Sequence, residues 1–538
     1  MKSWQDIRDQ KLKERDEKLK PFSPKTELPS IDELNDVSDY IDKSDVLSND
    51  EKVITNYSII ELIERYRNGT LNVEEVTRAY CCRLAVANEL VNCITEVRFN
   101  EALEEAKEED RFFKRTGKLV GPLHGVIVTL KDNIRVSGLA TSMGFIGLSE
   151  SIEAEDSPMA KLIKDLGGII LGKSNTSAGM MYSESTNMLW GRTLNPYSRK
   201  YLNVGGSSGG EGAIAALKGS CFGIGSDIGG SVRHPAALNN VYSIKPSFGR
   251  LPCFGTASGQ PGQESVRTVY GILSKKLDNV KYVLQQIVDA KPYKGYDATC
   301  LPIDFRPYIL PQRKLRIAFL DTDGLSTATP PVLRGLQIVK DKLKFNGHIV
   351  IDWPDLYLKD IREAIYPFYD ANGFQAIFDI IKKSGEPVDK LLSRWFPTAR
   401  DMNVSELWKL QIKRTELAQK YMELCNGYFS EGKIDAIITY SSPLPACLIN
   451  GVVPLPCTAI WNGLDYAAST FPVTRCDPKV DIPIQKKAYI SECDEKVHTT
   501  YKESLHRFAG GPVALQVVCG RLEEEKCLEL TNYISSLI

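Results

Sequence analysis

Between Gly205 and Ser231 the chain places ten glycines in twenty-seven residues, interleaved with Ser207, Ser208, Ser220, Ser226 and Ser231. Glycine at that density is costly in backbone entropy. A packed protein keeps it where main chain approaches something closely or takes dihedrals closed to other residues. A flexible linker does not fit, because Ala213 to Leu217 is a good helix former and Cys221 to Gly225 reads as a strand. Two readings stay open. One is a tight structural turn. The other is a site built from main-chain donors, with the N–H groups of Ile228, Gly229, Gly230 and Ser231 converging on a developing oxyanion.

The surroundings alternate between strand and helix signals. Strand-like runs stand at Val126 to Leu130, Gly168 to Leu171, Leu315 to Leu320, His348 to Ile351, Ala436 to Tyr440 and Val513 to Val518. Helical spacing marks Ser58 to Asn88, Ala160 to Leu166, Glu211 to Lys218, Pro331 to Phe345 and Leu522 to Leu537. This alternation predicts an α/β fold, a large mixed β-sheet core sandwiched by helices. Residues 1–50 read as a charged N-terminal helix and linker arm. Residues 51–538 read as a single domain, with its core at about 120–260 and a helical insertion at about 355–430.

With 67 basic and 68 acidic side chains the net charge is −1, which removes the electrostatic footprint of a nucleic-acid binder. The first twenty residues carry no apolar run of the kind a secretory signal needs. The most apolar stretch, Ala446 to Thr474, is interrupted by Pro454, Pro456, Asp465 and Pro472, so no membrane span is expected. Thirteen cysteines without a CxxC pair suit free thiols in the cytoplasm rather than a disulfide framework or a zinc site. No metal and no cofactor is expected.

Two formal motif matches fail on physical grounds or stay as rivals. Gly167 to Ser174 fits GxxxxGK[ST], but its middle residues Ile169, Ile170 and Leu171 belong in a strand and cannot wrap a phosphate. Gly205 to Gly209 fits the GxSxG nucleophile elbow, which needs a strand directly before Ser207, whereas Asn195 to Asn203 looks like loop. Ser207 stays as a rival nucleophile to Ser231 on these residues alone. A serine nucleophile needs a base, and only His124, His234, His348, His498 and His506 exist. His234 lies three residues from Ser231. Lys131, ending the run Val126 to Leu130, could serve instead if burial makes it a neutral amine.

The stretch Gly205-Gly206-Ser207-Ser208-Gly209-Gly210-Glu211-Gly212, followed by Asp227-Ile228-Gly229-Gly230-Ser231-Val232-Arg233 and Lys245-Pro246-Ser247, resembles the amidase signature family. Thr129-Leu130-Lys131-Asp132 is similar to that family's lysine strand, and Gly172-Lys173-Ser174-Asn175 to its next landmark. Gly121-Pro122-Leu123-His124-Gly125, Thr141-Ser142-Met143-Gly144, Gly249-Arg250-Leu251-Pro252 and the segment Gly511 to Val517 resemble its fungal acetamidase branch. The resemblance implies a Ser-cisSer-Lys triad: Ser231 as nucleophile, Ser207 as the relay held by a cis peptide bond, and Lys131 as the base. It implies an oxyanion hole at Ile228, Gly229 and Gly230, supporting roles for Ser208, Asp227 and Arg233, and an acyl pocket at Met180. The implied substrate is a small-molecule amide, acetamide-like or arylalkyl, with no nucleic acid and no integral membrane span; a homodimer is compatible with it. A lipid-amide hydrolase and the glutamine-hydrolysing subunit of a transamidating complex are the alternatives. Asn240 and Ser243 stand where the family pattern has glycine, which bears on pocket shape rather than on reaction type.

Overall fold

The computed structural model describes residues 2–427, 432–451 and 456–538. The last positions of the expected 355–430 insertion, and Pro454 within the 446–474 stretch, lie outside the described residues. Among these described residues thirteen strands follow one another along the chain. They are β1 (Ile94–Val97), β2 (Val126–Lys131), β3 (Gly168–Ser174), β4 (Thr186–Asn187), β5 (Gly191–Arg192), β6 (Phe222–Asp227), β7 (Tyr242–Lys245), β8 (Val269–Ser274), β9 (Arg316–Leu320), β10 (Ile349–Asp352), β11 (Ala436–Tyr440), β12 (Ala468–Arg475) and β13 (Pro512–Val518). All but the β4–β5 hairpin join one sheet of eleven strands, in the order β1-β3-β2-β6-β8-β7-β12-β13-β11-β9-β10.

The sheet is mixed. Strands β3, β2 and β6 run parallel, as do β11, β9 and β10, while the pairs between β6 and β11 are antiparallel. Every residue of β2, β3, β6 and β13 is buried, as the unbroken apolar runs Val126 to Leu130 and Gly168 to Leu171 lead one to expect for strands covered on both faces. The parallel trio ends at Lys131, Ser174 and Asp227, so these three positions share the carboxyl edge of the sheet. Helix Gly209–Ala216 is buried along its whole length, and its small residues let it lie close beneath the strands.

The N-terminal segment is folded onto this body. Helix Trp4–Leu19 starts on a capping box between Ser3 and Asp6, which satisfies main-chain donors that the first turn would otherwise leave unpaired. Its Trp4, Ile7 and Leu12 pack on Ile146, Leu189 and Trp190, and Lys11 reaches Glu96 at 2.8 Å. Further along, Val37, Ile41 and Leu47 enter the main hydrophobic core, and Arg199 donates to the carbonyls of Pro29, Ser30 and Leu34.

The segment from Leu358 to Cys425 is largely helical and enters two hydrophobic clusters. Leu358, Ile361, Ile365 and Phe368 join Leu417, Tyr421 and the sheet residues Ala318, Leu320 and Ile437 in one cluster. Phe374, Ile377, Leu391 and Leu392 join Met143, Phe145, Ala178 and Tyr182 in another. Each such side chain, fully buried, contributes roughly 2 kcal/mol. Between the two clusters lies a cavity.

Candidate active site

Lys131 is the last residue of β2 and is fully buried. Its Nζ donates to Ser207 Oγ at 2.6 Å, to Ser226 Oγ at 2.8 Å and to the Ser226 carbonyl at 3.3 Å. Burial drives the ammonium down from 10.5 to about 7, against the opposing pull of Asp227, Glu211 and Asp132. A neutral amine is therefore present at neutral pH, hydrogen-bonded to a serine.

Ser207 follows a cis peptide bond from Gly206, in the turn that leads into helix Gly209–Ala216. Its carbonyl accepts from Thr176 Oγ1 at 2.8 Å and Ser185 Oγ at 3.0 Å, which fixes the turn from the far side. Glycine is required at position 206: a Cβ there would stand 2.6 Å from the Glu184 nitrogen and 2.8 Å from the Ser183 carbonyl carbon. The entropy cost inferred from the sequence thus has a steric cause. No strand leads directly into Ser207 among the described residues, the nearest preceding one ending at Arg192, so the elbow geometry is not met.

Ser231 sits in the turn between β6 and helix Arg233–Leu238, and its carbonyl accepts from the Ser208 nitrogen at 3.1 Å, joining the two serine-bearing loops. Ser208 Oγ donates to the Ser226 carbonyl at 3.3 Å. Asp227 organises the turn. Its carboxylate accepts from the nitrogens of Gly230 at 2.8 Å and Val232 at 3.1 Å, and pairs with Arg233 at 2.9 and 3.1 Å. Both side chains are wholly buried. Burial pushes the Asp227 carboxyl up, but Arg233, Lys245 and the Asn462 amide outweigh it and hold it far below the usual carboxylate range. Arg233 also donates to the Thr458 carbonyl, Gln516 and Asn462, which ties the turn to helix Pro456–Gly463 and β13. Gly230 lies at φ 125°, where a Cβ would overlap the Thr458 hydroxyl.

Ser207, Ser226 and Ser231 line one cavity of about 130 Å³, with Ile228 and Gly229. Met180 and Met181 form part of its wall, and Tyr366, Tyr369 and Trp395 of the helical segment form another part. Met180 adopts φ 61°, rare for a side chain of its kind. Lys131, Asp227, Arg233, Ser208 and Gly230 stand behind the lining rather than in it. The Gly230 N–H is engaged by Asp227, whereas those of Ile228, Gly229 and Ser231 have no acceptor among the described residues.

Other candidates from the sequence are placed elsewhere. His234 is buried beside Gly205, outside the cavity lining, and burial lowers it to about 4, so it is neutral. His124 pairs with Glu109 at 3.0 Å. Lys173 donates to the Ala140 carbonyl and Thr141 inside the protein, as befits a strand residue rather than a phosphate loop. Asn240 takes φ 54°, a left-handed conformation that glycine or asparagine adopts at little cost, and Ser243 is buried in β7; neither lines the cavity. Sequence reasoning gave no role to Ser226, Tyr369, Thr458 or Gln516. Ser226 had a faint signal, a hydroxyl residue near the end of a strand beside the lysine strand. The other three are remote in sequence from the glycine-rich turns.

Among the described residues no helix is long and apolar enough to cross a membrane. The sequence profile of a protein family described as Amidase matches residues 75–528. An acetamidase of Aspergillus oryzae is 34% identical, with 100% of this chain and 99% of the relative aligned. An acetamidase of Emericella nidulans is 31% identical, with 100% and 98% aligned. The solved structure of a fatty acid amide hydrolase superposes with a TM-score of 0.92 at 28% identity, covering 100% of this chain and 95% of that one.

Proposed function

The chain belongs to the amidase family and is an amide-hydrolysing enzyme, and from that premise we propose that it hydrolyses small carboxamides through Ser231, Ser207 and Lys131. The observation that carries the reading is the 2.6 Å contact between Lys131 Nζ and Ser207 Oγ, behind a cavity that Ser207 and Ser231 both line. Neutral Lys131 takes the Ser207 hydroxyl proton as Ser207 takes that of Ser231, and Ser231 Oγ attacks the amide carbonyl carbon. The resulting oxyanion is met by main-chain N–H groups of the Ile228 to Ser231 turn, of which Ile228, Gly229 and Ser231 line the cavity and have N–H groups free to donate. The C–N bond then breaks, Ser207 returns a proton to the departing nitrogen, and Lys131 replenishes Ser207. Water, deprotonated by the same relay, cleaves the Ser231 ester to give the carboxylate.

The apolar wall at Met180 and the modest volume of the cavity favour acetamide-like and aryl or alkyl monocarboxylic amides, and the acetamidase relatives support the same class. One observation favours a second reading, lipid-amide hydrolysis: the likeness to a fatty acid amide hydrolase extends over the whole chain. Ammonia or amine release from amides of rising acyl length, acetyl to long-chain, separates the two. Loss of all turnover in Ser231→Ala, with folding retained, is expected; turnover in that variant removes the proposal.

A further inference from the structure

The two peptide units at the centre of the Asp227 to Ser231 turn are held differently. In the Gly229–Gly230 unit the carbonyl accepts from Thr458 Oγ1 at 2.7 Å and the N–H donates to Asp227 at 2.8 Å, so both ends are engaged. In the Ile228–Gly229 unit the carbonyl accepts from the Tyr369 hydroxyl at 2.9 Å, while the N–H has no acceptor among the described residues. A trans peptide is rigid and its C=O and N–H point in opposite directions, so fixing one fixes the other. Gly229 lines the cavity beside Ser231.

Tyr369 is itself held firmly. Its carbonyl accepts from Gln260 Nε2 at 2.9 Å, and its ring meets Tyr366 edge-on at 5.8 Å. Gln260, Tyr366 and Tyr369 all line the cavity. Burial and the Asp227 charge push the phenol above its usual range, so it stays a donor at any working pH.

We propose that Tyr369, contributed by the helical segment, is a positioning residue for the reaction: its hydroxyl aims the Gly229 N–H at the developing oxyanion through the Ile228–Gly229 peptide. The chain O–H···O=C–N–H···O also polarises that peptide and strengthens its donor end. The inference rests on the reading of Ser231 as nucleophile. It assigns Tyr369 a task beyond forming the wall, and one that depends on its oxygen rather than its ring.

The test is Tyr369→Phe, which keeps the ring and removes the hydroxyl. Losing an oxyanion donor outright costs about 10²–10³ in kcat, and losing only its alignment should cost about tenfold. We expect kcat to fall about tenfold, KM to stay within about twofold, and the inhibition constant of a trifluoromethyl ketone substrate analogue to rise by the same factor as kcat falls, since both report the tetrahedral state. Inhibition by the carboxylate product and the pH midpoint of kcat/KM should not move. Unchanged kcat, or parallel changes in KM and product inhibition, would overturn the positioning role while leaving the nucleophile intact. Retained turnover in Ser231→Ala, run alongside, would overturn the catalytic reading and the role of Tyr369 with it.

Discussion

Replacing Lys131 by methionine should remove activity and, over part of the pH range, relieve the fold of a cost. Methionine has similar volume and no charge. In the native protein Lys131 titrates near 7 instead of 10.5, because burial penalises its ammonium. At 1.36 kcal/mol per pH unit that displacement corresponds to about 5 kcal/mol between the protonated states. Below pH 7 both folded and unfolded chains carry the proton, and the parent protein bears the whole penalty. Between pH 7 and 10.5 the unfolded chain holds the proton and the folded one does not, so stability rises with pH. Relative to the methionine variant, the parent should therefore gain about 3 kcal/mol between pH 6 and pH 9. The variant also removes a hydrogen-bond partner from the hydroxyls of Ser207 and Ser226, an offset of about 1 kcal/mol per lost bond that does not depend on pH. Urea unfolding of both proteins at pH 6, 7.5 and 9 isolates the pH-dependent difference, and ammonia release measures activity. A stability gap that stays constant across this range, or that moves the other way, would refute the assignment of Lys131 as a buried amine neutral in the working enzyme.

Other perturbations separate the parts of the site. The kcat/KM of the native protein should rise about tenfold per pH unit below pH 7 and level off above it, as Lys131 loses its proton; a pH–rate profile flat from 5 to 8 would contradict this. Asp227→Asn should destabilise the protein by about 3–5 kcal/mol, because it leaves the Arg233 guanidinium buried without its counter-charge, and thermal or chemical unfolding reads this directly. Trp395, with Tyr366 and Tyr369, separates the cavity of about 130 Å³ from a neighbouring one of about 630 Å³. Trp395→Ala should merge the two and shift the optimum acyl length upward, measured as kcat/KM along the amide series.

Where sequence was informative, it was so because one local pattern left one structural solution. The runs Val126 to Leu130 and Gly168 to Leu171 could hardly be anything but buried strands, and their register brings Lys131 and Ser174 to one edge. The glycines from 205 to 230 signalled close approach, and Gly206 and Gly230 meet backbone and side-chain atoms that exclude a Cβ. The fold class follows from the alternation of strand and helix signals, and the family from the glycine- and serine-rich motifs. Long-range partners were not legible. Ser226 reaches Lys131 only because β2 and β6 pair in parallel, a register no local signal encodes. Tyr369, Thr458, Asn462 and Gln516 act on the Asp227 turn from more than 130 residues away. The N-terminal helix reads as dominated by charge with few apolar anchors, and its contact face depends on three of these, Trp4, Ile7 and Leu12, whose partners at Ile146, Leu189 and Trp190 appear only in the folded chain.

Ser231 is proposed as the nucleophile and Ser207 as the relay. Treating the native protein with a fluorophosphonate, digesting it and locating the adduct by mass spectrometry tests this directly, because the phosphonyl group stays on the oxygen that attacked. The adduct should map to Ser231, with no labelling in Lys131→Met. An adduct on Ser207 would contradict the account.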